Sequence, residues 1–411
     1  MRVLLVAFGC EPGFGSERET GWQWAITWAR AAEVDVLTAA TAGTVKSEFN
    51  RAGSNPHLIP VDVAWPKRMS VGGGYSHLKY LLWSVRASQV ARRLLLNVKY
   101  DLVHHVSLSS VSMPPIATDA RTPMVWGPVG GGQLAPWRYW RDFGSQGFRE
   151  LVRNCRVITT SYNPILRRAA RASTLCLASN YETARVLERM GARRVEVMPD
   201  SAVSVEWLDE VRPPCAEGRP PVVLWVSRLE PHKGLSLALK AFSVAIRSRP
   251  ATLRIVGEGP LFGSAQVLAR ELGISEFVTF RGMQPRGEVR REMLSADLLL
   301  FTSLRESFGM PLVEAMATRL PIVTIDHQGA AQIPGCAAMK VPLLPPSEMA
   351  EALASSLNRL LASPSLRQRL GEGGRQWVAE EHTWSRHCAR VLNALPGRDA
   401  ATAVQSIGRY K

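Results

Sequence analysis

Two glutamates, Glu306 and Glu314, bracket a segment whose sequence predicts the start of a helix. The apolar run before them, residues 298–301, is long enough for a buried strand, and Pro311 stands where a first helical residue is expected. The free backbone N–H groups of such a helix start suit an anion, above all a phosphate. Because a carboxylate beside a phosphate would repel it, we interpret the two glutamates as acceptors for the hydroxyl groups of a sugar and a ribose.

Two cations follow another predicted strand, residues 222–226, in the same kind of position. Arg228 and Lys233 lie on a short loop that leads into a helix beginning at Leu235. A single pair of cations is usually surface charge, but two cations on such a loop are able to converge on a diphosphate. The loop is therefore a candidate diphosphate site.

The bracketed segment, Glu306-Ser-Phe-Gly-Met-Pro-Leu-Val-Glu314, resembles the E-x7-E signature of the retaining, nucleotide-sugar-dependent glycosyltransferases of family 4. The resemblance implies that Glu306 faces the donor sugar and that Glu314 holds the ribose. It also implies that the backbone between them meets the phosphates, through Ser307, Phe308, Gly309 and Met310.

The cationic loop, residues 226–234, resembles the G-R-L-x-x-x-K-G motif with which the same family clasps the donor pyrophosphate. This gives Arg228 and Lys233 catalytic roles beside Glu306. Two further turns resemble the elements that border the nucleotide base in the family, and they supply the donor-side residues Gly257, Glu258, Arg281 and Gly282.

A glycine-rich loop, residues 9–17, lies between the first predicted strand and the first predicted helix. Glycines at such a junction let the backbone approach a ligand closely. Arg18 stands where G-x-G-x-x-G would have its third glycine, so a dinucleotide site is disfavoured. The resemblance implies that Gly15 and Ser16 lie at the donor and that Glu17 lies on the acceptor side.

The sequence departs from the family at Gly127-Pro128, where many members have a histidine that approaches the donor sugar. That role is left unassigned. We expect the backbone of Gly130 and Gly131, together with the adjacent His104 or His105, to stand on the sugar or acceptor side. The alternative for both histidines is a buried, hydrogen-bonded place in the core.

The chain has no D-x-D sequence, so a metal-bound diphosphate of the kind used by the other large glycosyltransferase fold is not expected. We expect Arg228, Lys233 and the helix start to stabilise the leaving group in place of a metal ion. The resemblance implies retention at the anomeric carbon. No dedicated base and no cofactor is expected, since the nucleotide sugar is itself a substrate.

Strands and helices alternate in both halves of the chain, which predicts an α/β protein with parallel sheets. The resemblance implies the GT-B fold, in which two Rossmann-like, doubly wound domains face a central cleft. We place an acceptor-binding domain at residues 1–198, a proline-rich linker at 199–221 and a nucleotide-sugar-binding domain at 222–381. A helix at about 382–396 is expected to pack back on the first domain, and the tail beyond it is expected to be disordered.

The 411-residue chain carries a formal net charge of +15, which favours an anionic partner such as a nucleotide, a nucleic acid or an acidic membrane surface. Its six cysteines include no C-x-x-C pair, so a reducing cytoplasm fits. The first nine residues are expected to form a strand and not a signal peptide. No apolar run approaches the roughly 20 residues of a membrane span.

Helical stretches at residues 75–96 and 138–171 are cationic. Lys79, Arg86 and Arg93 share one predicted face, and cationic amphipathic helices can lie on anionic lipid. Aromatic residues that favour the headgroup layer lie among these cations: Trp83, Trp137, Tyr139 and Trp140.

We therefore predict a metal-independent, retaining hexosyltransferase that moves a sugar from a UDP- or GDP-linked donor to a saccharide acceptor. The acceptor is expected to be lipid-linked, in cell-surface polysaccharide or glycolipid synthesis, with the protein cytoplasmic or peripheral on the inner face of the cell membrane. Two alternatives stay open: a basic nucleic-acid-binding protein, and a different nucleotide- or NAD-dependent sugar enzyme.

Overall fold

A computed structural model describes residues 1–13, 16–40, 48–50, 53, 55–63, 77–118, 121–210, 212–213 and 218–395. The chain divides into two compact units. Unit 1 comprises Met1–Gly132, Val157–Asp200 and the chain from Trp384 onward, and unit 2 comprises Gln133–Arg156 and Ser201–Thr383.

Each unit is built on one parallel sheet. The unit 1 sheet has the order β3-β2-β1-β4-β5-β6-β7 and the unit 2 sheet has the order β10-β9-β8-β11-β12-β13. The strands are β1 (Arg2–Val6), β2 (Glu33–Thr38), β3 (His57–Pro60), β4 (Leu102–His105), β5 (Met124–Val129), β6 (Leu175–Ala178), β7 (Val195–Val197), β8 (Val222–Val226), β9 (Thr252–Val256), β10 (Val278–Gly282), β11 (Leu298–Phe301), β12 (Ile322–Asp326) and β13 (Ala338–Pro342).

Helices connect the strands and cover the sheets. They are α1 (Ser16–Ala31), α2 (His77–Asn97), α3 (Gly147–Thr160), α4 (Pro164–Ala172), α5 (Tyr181–Met190), α6 (Leu235–Ala245), α7 (Phe262–Glu271), α8 (Arg286–Ser295), α9 (Met310–Ala317), α10 (Pro346–Ala362), α11 (Pro364–Glu381) and α12 (Trp384–Asn393). Central strands such as β1 and β11 are continuous apolar runs because helices bury both faces of a parallel sheet. The predicted α/β class and the two parallel sheets are confirmed.

The buried face of α2 consists of aromatic and small residues, and its leucines lie outside that face. The helix buries Tyr80, Trp83, Ser84, Ala87 and Ala91, whereas Leu78, Leu81, Leu82 and Val85 are exposed. The cause is the aromatic pair at the start of the stripe. Tyr80 and Trp83 pack on Phe8 with ring centroids 5.4 and 5.0 Å apart, and they bury more apolar surface than the leucines would.

The predicted domain boundary at residue 198 also differs from the division of the chain in one segment. Gln133–Arg156 precedes the linker in sequence but groups with unit 2. Ala135, Tyr139 and Phe143 belong to the hydrophobic core around β8 and α6, and the Tyr139 hydroxyl donates to the Leu344 carbonyl over 2.6 Å. Burial of these rings holds the segment on unit 2.

The last described helix, α12, groups with unit 1. Trp384 packs edge-on against Trp24 of α1 with ring centroids 5.9 Å apart, and the Arg390 guanidinium donates to the Val197 carbonyl. The tail predicted to be disordered lies outside the described residues.

Candidate functional site

The predicted catalytic residues of unit 2 lie at the carboxyl ends of two neighbouring strands. β8 and β11 pair directly with each other at the centre of the sheet. β9 and β10 extend the sheet on one side, and β12 and β13 extend it on the other. This is the point at which the strand order reverses, where ligands bind in open α/β sheets. The loops that follow β8 and β11, residues 227–234 and 302–309, meet there.

Lys233 and Glu306 form an ion pair at this point. The Lys233 ammonium contacts Glu306 Oε2, and both side chains are largely buried, with 13% and 17% of their surface exposed. The Glu306 backbone N–H donates to the side-chain oxygen of Gln328 over 3.0 Å, which fixes the loop that follows β11. The structure therefore brings together two of the three predicted catalytic residues, which are 73 positions apart in the chain.

A glycine lets the two loops approach closely. Gly234 has φ +71°, and a Cβ built on it would lie 2.1 Å from the carbonyl oxygen of Thr302. The Thr302 hydroxyl donates to the Gly234 carbonyl over 2.9 Å, and the Trp225 indole N–H donates to that hydroxyl over 3.1 Å. Only a residue without a side chain fits here, because the contact is with backbone.

Arg228, the third predicted catalytic residue, points to a different partner. Its guanidinium pairs with Glu230 over 2.7 Å, and 70% of its side chain is exposed. Burial lowers the pKa of His232, on the same loop, to about 2, and nearby positive charge adds to the effect, from Arg305, Lys233, Arg228 and Arg153. The imidazole is therefore neutral near neutral pH.

At the start of α9, Gly309 precedes the helix with φ +110°, and no side chain caps the first turn. A Cβ on Gly309 would lie 2.9 Å from the Phe301 ring, so the tight turn requires glycine. The backbone N–H groups of such a start carry the positive end of the helix dipole, as a phosphate site requires.

Glu314 is buried within α9 and lies beside a residue that the sequence analysis did not assign. Arg286 Nε, at the start of α8, is 3.3 Å from Glu314 Oε1. Arg286 also stacks over the Trp207 ring at 5.6 Å. The predicted ribose-binding carboxylate is thus held in place by a cation 28 positions earlier.

The predicted base-bordering residues follow β9 or form the end of β10. Gly257 N–H donates to the Gly282 carbonyl over 2.8 Å, and Glu258 Oε1 lies close to Gly282. The Arg281 side chain pairs instead with Glu292 over 2.9 Å. Arg281 therefore helps to hold α8 on the sheet.

The segment 133–156 makes polar contacts with the loop that follows β11, and the sequence analysis did not predict them. The Gln133 amide donates to the Ser307 hydroxyl over 3.1 Å. Arg305, the residue before Glu306, pairs with both carboxylate oxygens of Glu150 at 2.9 and 3.0 Å. In the sequence, only the position of Arg305 directly before Glu306 indicated that Arg305 belongs to the site.

In unit 1, Gly15 lies outside the described residues, and so does the side chain of Ser16, the first residue of α1. Glu17 lies in the first turn of α1, and the Ser109 N–H donates to it over 3.3 Å. Burial raises the pKa of Glu17 to about 7. A carboxyl group with this pKa exchanges protons readily near neutral pH.

The expectation that His104 or His105 stands on the acceptor side is wrong, because both rings are fully buried. His104 accepts from the Trp28 indole N–H over 2.9 Å and donates to the Gly127 carbonyl over 2.8 Å. His105 contacts the Tyr80 hydroxyl at 3.1 Å. The two histidines hold β4 in the core, which was the alternative.

Of the two predicted acceptor-side glycines, Gly130 is committed to a β-bridge. Its N–H donates to the Ser109 carbonyl and its carbonyl accepts from Val111 N–H, over 2.9 and 2.8 Å. It is therefore corrected to a structural residue with no free N–H. Gly131 has φ +88°, and a Cβ there would lie 3.3 Å from the Ser110 hydroxyl.

The buried histidines predict acid sensitivity. Burial lowers the pKa of His104 to about 4 and that of His105 to about 3, against about 6.5 in the unfolded chain. Below pH 6.5 the unfolded chain binds protons that the native chain does not, so the free energy of unfolding falls. Between pH 6.5 and 4.5, the free energy of unfolding of His104→Gln should fall by about 2 kcal/mol less than that of the wild type, as measured by urea unfolding. An unchanged pH dependence in that variant would contradict this assignment.

No group of three or more metal-ligating side chains lies within the part of the chain that the structure describes. In the same residues, no helix is long and apolar enough to cross a membrane.

The family model described as "Glycosyl transferases group 1" matches residues 210–377. A 2-deoxystreptamine glucosyltransferase from Streptomyces kanamyceticus is 28% identical over 318 residues, which are 74% of this chain and 72% of that protein. A GDP-mannose-dependent alpha-(1-6)-phosphatidylinositol monomannoside mannosyltransferase from Mycolicibacterium smegmatis is 30% identical over 194 residues. That match covers 45% of this chain and 50% of the mannosyltransferase.

A solved structure of Anabaena HepE in complex with UDP superposes with a TM-score of 0.62. The superposition covers 96% of this chain and all of that chain, at 17% sequence identity. At this identity the likeness concerns the fold, and the matched fold is GT-B.

Proposed function

We propose that this chain, which matches the glycosyl transferases group 1 family model over residues 210–377 and has the GT-B fold, is a retaining hexosyltransferase. The sequence resemblance to family 4 and the predicted fold are thereby confirmed. The protein is a glycosyltransferase that acts on a sugar-nucleotide donor. Beyond this, we propose a specific class of donor, an acceptor and the stereochemistry of transfer.

The observation that carries the proposal is the Lys233–Glu306 ion pair at the reversal point of the unit 2 sheet. A diphosphate placed at the start of α9 would meet the Lys233 ammonium on one side and the helix dipole on the other. Glu306 would then face the sugar that the diphosphate carries. The nucleic-acid-binding and NAD-dependent alternatives give this pair no role.

Leaving-group stabilisation is the main catalytic demand. When the glycosidic bond breaks, the sugar becomes oxocarbenium-like and the diphosphate gains negative charge. Hydrogen bonds to a charged group contribute about 1.5–3 kcal/mol each, so two or three at the departing phosphate speed cleavage by several decades. Lys233, the α9 start and Arg228 would supply them, and Arg228 is exposed enough to turn from Glu230 to a ligand.

We propose a UDP- or GDP-linked hexose as the donor. In this proposal the α9 start binds the diphosphate and Glu314 binds the ribose, and UDP and GDP share both groups. A relative named as GDP-mannose-dependent and a structural neighbour bound to UDP support both choices. Arg286 beside Glu314 sets the charge of the ribose site without distinguishing the bases.

A panel of UDP- and GDP-hexoses, each with nuclear magnetic resonance analysis of the product, tests this proposal. One donor should be consumed with release of the nucleoside diphosphate, and the anomeric configuration of the donor should be kept. An inverted product would contradict the retaining mechanism, and a lack of turnover with every nucleotide sugar would contradict the donor class.

Transfer is expected to persist in excess EDTA. Lys233, Arg228 and the α9 start would neutralise the departing diphosphate without a metal ion. Initial rates are compared before and after chelation, with an enzyme of known metal dependence as the control. If EDTA abolishes transfer and manganese or magnesium restores it, the mechanism includes a cation site that this proposal omits.

We propose a lipid-linked saccharide as the acceptor, met at the cytoplasmic face of an anionic membrane in cell-surface polysaccharide or glycolipid synthesis. The relative whose name includes phosphatidylinositol monomannoside supports a lipid acceptor. In unit 1, α2 presents exposed leucines together with exposed Arg86 and Arg93. Trp83 and Tyr139, which were expected at the headgroup layer, are buried and play no part.

A further inference from the structure

In the part of α3 that belongs to unit 2, the large apolar side chains face solvent. Phe148 is 68% exposed, Leu151 47% and Val152 53%. They recur at three- and four-residue spacing, so they form one stripe along the helix. In a soluble helix this stripe normally faces the core.

Three polar residues of α3 face inward, and each has a partner. Glu150 pairs with Arg305, and the Arg153 guanidinium donates to the Gln133 carbonyl over 2.8 Å. Asn154 exchanges two hydrogen bonds of 3.0 Å with the Ala135 backbone. These contacts fix the rotation of the helix, so the apolar stripe is held outward by a satisfied polar interface.

Aromatic and cationic side chains extend the apolar stripe. Trp137 and Trp140, on the 3₁₀ segment before α3, are 80% and 44% exposed. Three exposed arginines accompany them, and none has an acidic partner among the described residues: Arg138, Arg141 and Arg149. We call the residues 137–152 that are exposed the α3 surface.

We propose that the α3 surface docks on an anionic lipid bilayer. Tryptophan rings favour the headgroup layer, the apolar stripe favours the boundary with the acyl chains, and unpaired arginines favour anionic headgroups. A protein partner would need acidic groups opposite the arginines and an apolar groove for the stripe. An anionic bilayer supplies negative headgroups and an apolar interior, and it does so however the protein is rotated about the bilayer normal. The proposal rests on the lipid-linked acceptor proposed above and assigns the surface that would meet its membrane.

Vesicle flotation without any substrate tests the surface apart from the enzymatic activity. The wild-type protein should float with phosphatidylglycerol-containing vesicles, release them at high salt, and ignore pure phosphatidylcholine. A Trp137→Ser, Phe148→Ser and Val152→Ser triple variant should bind at least about tenfold more weakly, and so should Arg138→Glu, Arg141→Glu and Arg149→Glu.

Matched controls use exposed residues elsewhere on unit 2. Val267→Ser, Phe277→Ser and Met283→Ser replace exposed apolar residues, and Arg247→Glu, Arg249→Glu and Arg270→Glu reverse exposed charges. These variants should bind vesicles nearly as well as the wild type, apart from the small effect of net charge. If a triple variant melts early, Trp137→Ser alone serves, because that ring is 80% exposed.

Three results would overturn the proposal. The wild-type protein could fail to float with anionic vesicles at low salt. Binding could be lost only on Lys79→Glu, Arg86→Glu and Arg93→Glu, which would assign docking to α2. Sedimentation could instead show a dimer that the apolar triple variant dissolves, which would make the α3 surface an interface between two copies. Donor turnover with a soluble acceptor separates each of these from failure of the proposed activity.

Discussion

Lys233→Ala is expected to lower the turnover number by about 10²- to 10³-fold while the fold survives. The variant removes the ammonium that contacts Glu306 and would stabilise the departing diphosphate, and it leaves the Glu306 carboxylate largely buried without its partner. Glu306→Gln should lose transfer to a similar extent, since it keeps the shape and removes the charge. Initial rates with the preferred donor measure both effects.

Lys240→Ala is the control for the lysine variant, because Lys240 is exposed on α6. It should transfer at nearly the wild-type rate. The double variant of Lys233 and Glu306 should lose little more than either single one, since the two groups act as a unit. Wild-type turnover in either single variant, with an unchanged melting temperature, would show that this pair is not the catalytic one.

Gly234→Ala is expected to lower the free energy of unfolding by about 4 kcal/mol or more and to abolish transfer with it. The new methyl group would lie 2.1 Å from the Thr302 carbonyl oxygen, so the loops after β8 and β11 would have to separate. Both loops carry proposed catalytic residues. Urea unfolding and initial rates on the same samples measure the two losses.

Gly273→Ala is a matched control within unit 2. Its φ of +69° is nearly the same as that of Gly234, but nothing lies within 4 Å of the new methyl group. Gly273→Ala should therefore lower the free energy of unfolding by only about 1–2 kcal/mol, the cost of a left-handed backbone conformation in a residue with a side chain, and it should leave transfer intact. Equal losses at the two glycines would mean that backbone conformation alone, and not the close approach of the loops, is responsible.

The strands and the site loops of unit 2 were predictable because their signals are local. Apolar runs such as residues 298–301 mark buried strands, and the motifs around Lys233 and Glu306 lie directly after them. Parallel strands bring their carboxyl ends to one edge, so the sequence order of the motifs was enough to predict that they meet.

The face of α2 was not predictable from periodicity. Apolar residues occupy most of its circumference, and both the leucine stripe and the Tyr80–Trp83–Ala87–Ala91 stripe have helical spacing. Which of them is buried depends on Phe8 and β4, which lie far away in sequence. Tertiary packing decided the choice.

Long-range polar pairs were likewise hidden. Arg286 lies 28 residues before Glu314, and Arg305 lies 155 residues after Glu150. A charged residue in a sequence usually indicates a solvated surface, and only the fold reveals that these two arginines hold the carboxylates of the site region. His104 and His105 fall in the same class, since their core contacts with Trp28 and Tyr80 come from other elements.

The assignment of residues 133–156 to unit 2 has a consequence for exchanging parts of this protein with a relative. A cut in the proline-rich linker would look natural in the sequence, yet a fragment that starts there would lack Tyr139, which fills the core of unit 2, and Glu150, which neutralises Arg305. The unit proposed to bind the donor is therefore discontinuous in the sequence. A chimera that is to inherit donor specificity intact has to carry two separate stretches, 133–156 and 201–383, and leave α12 with the other half.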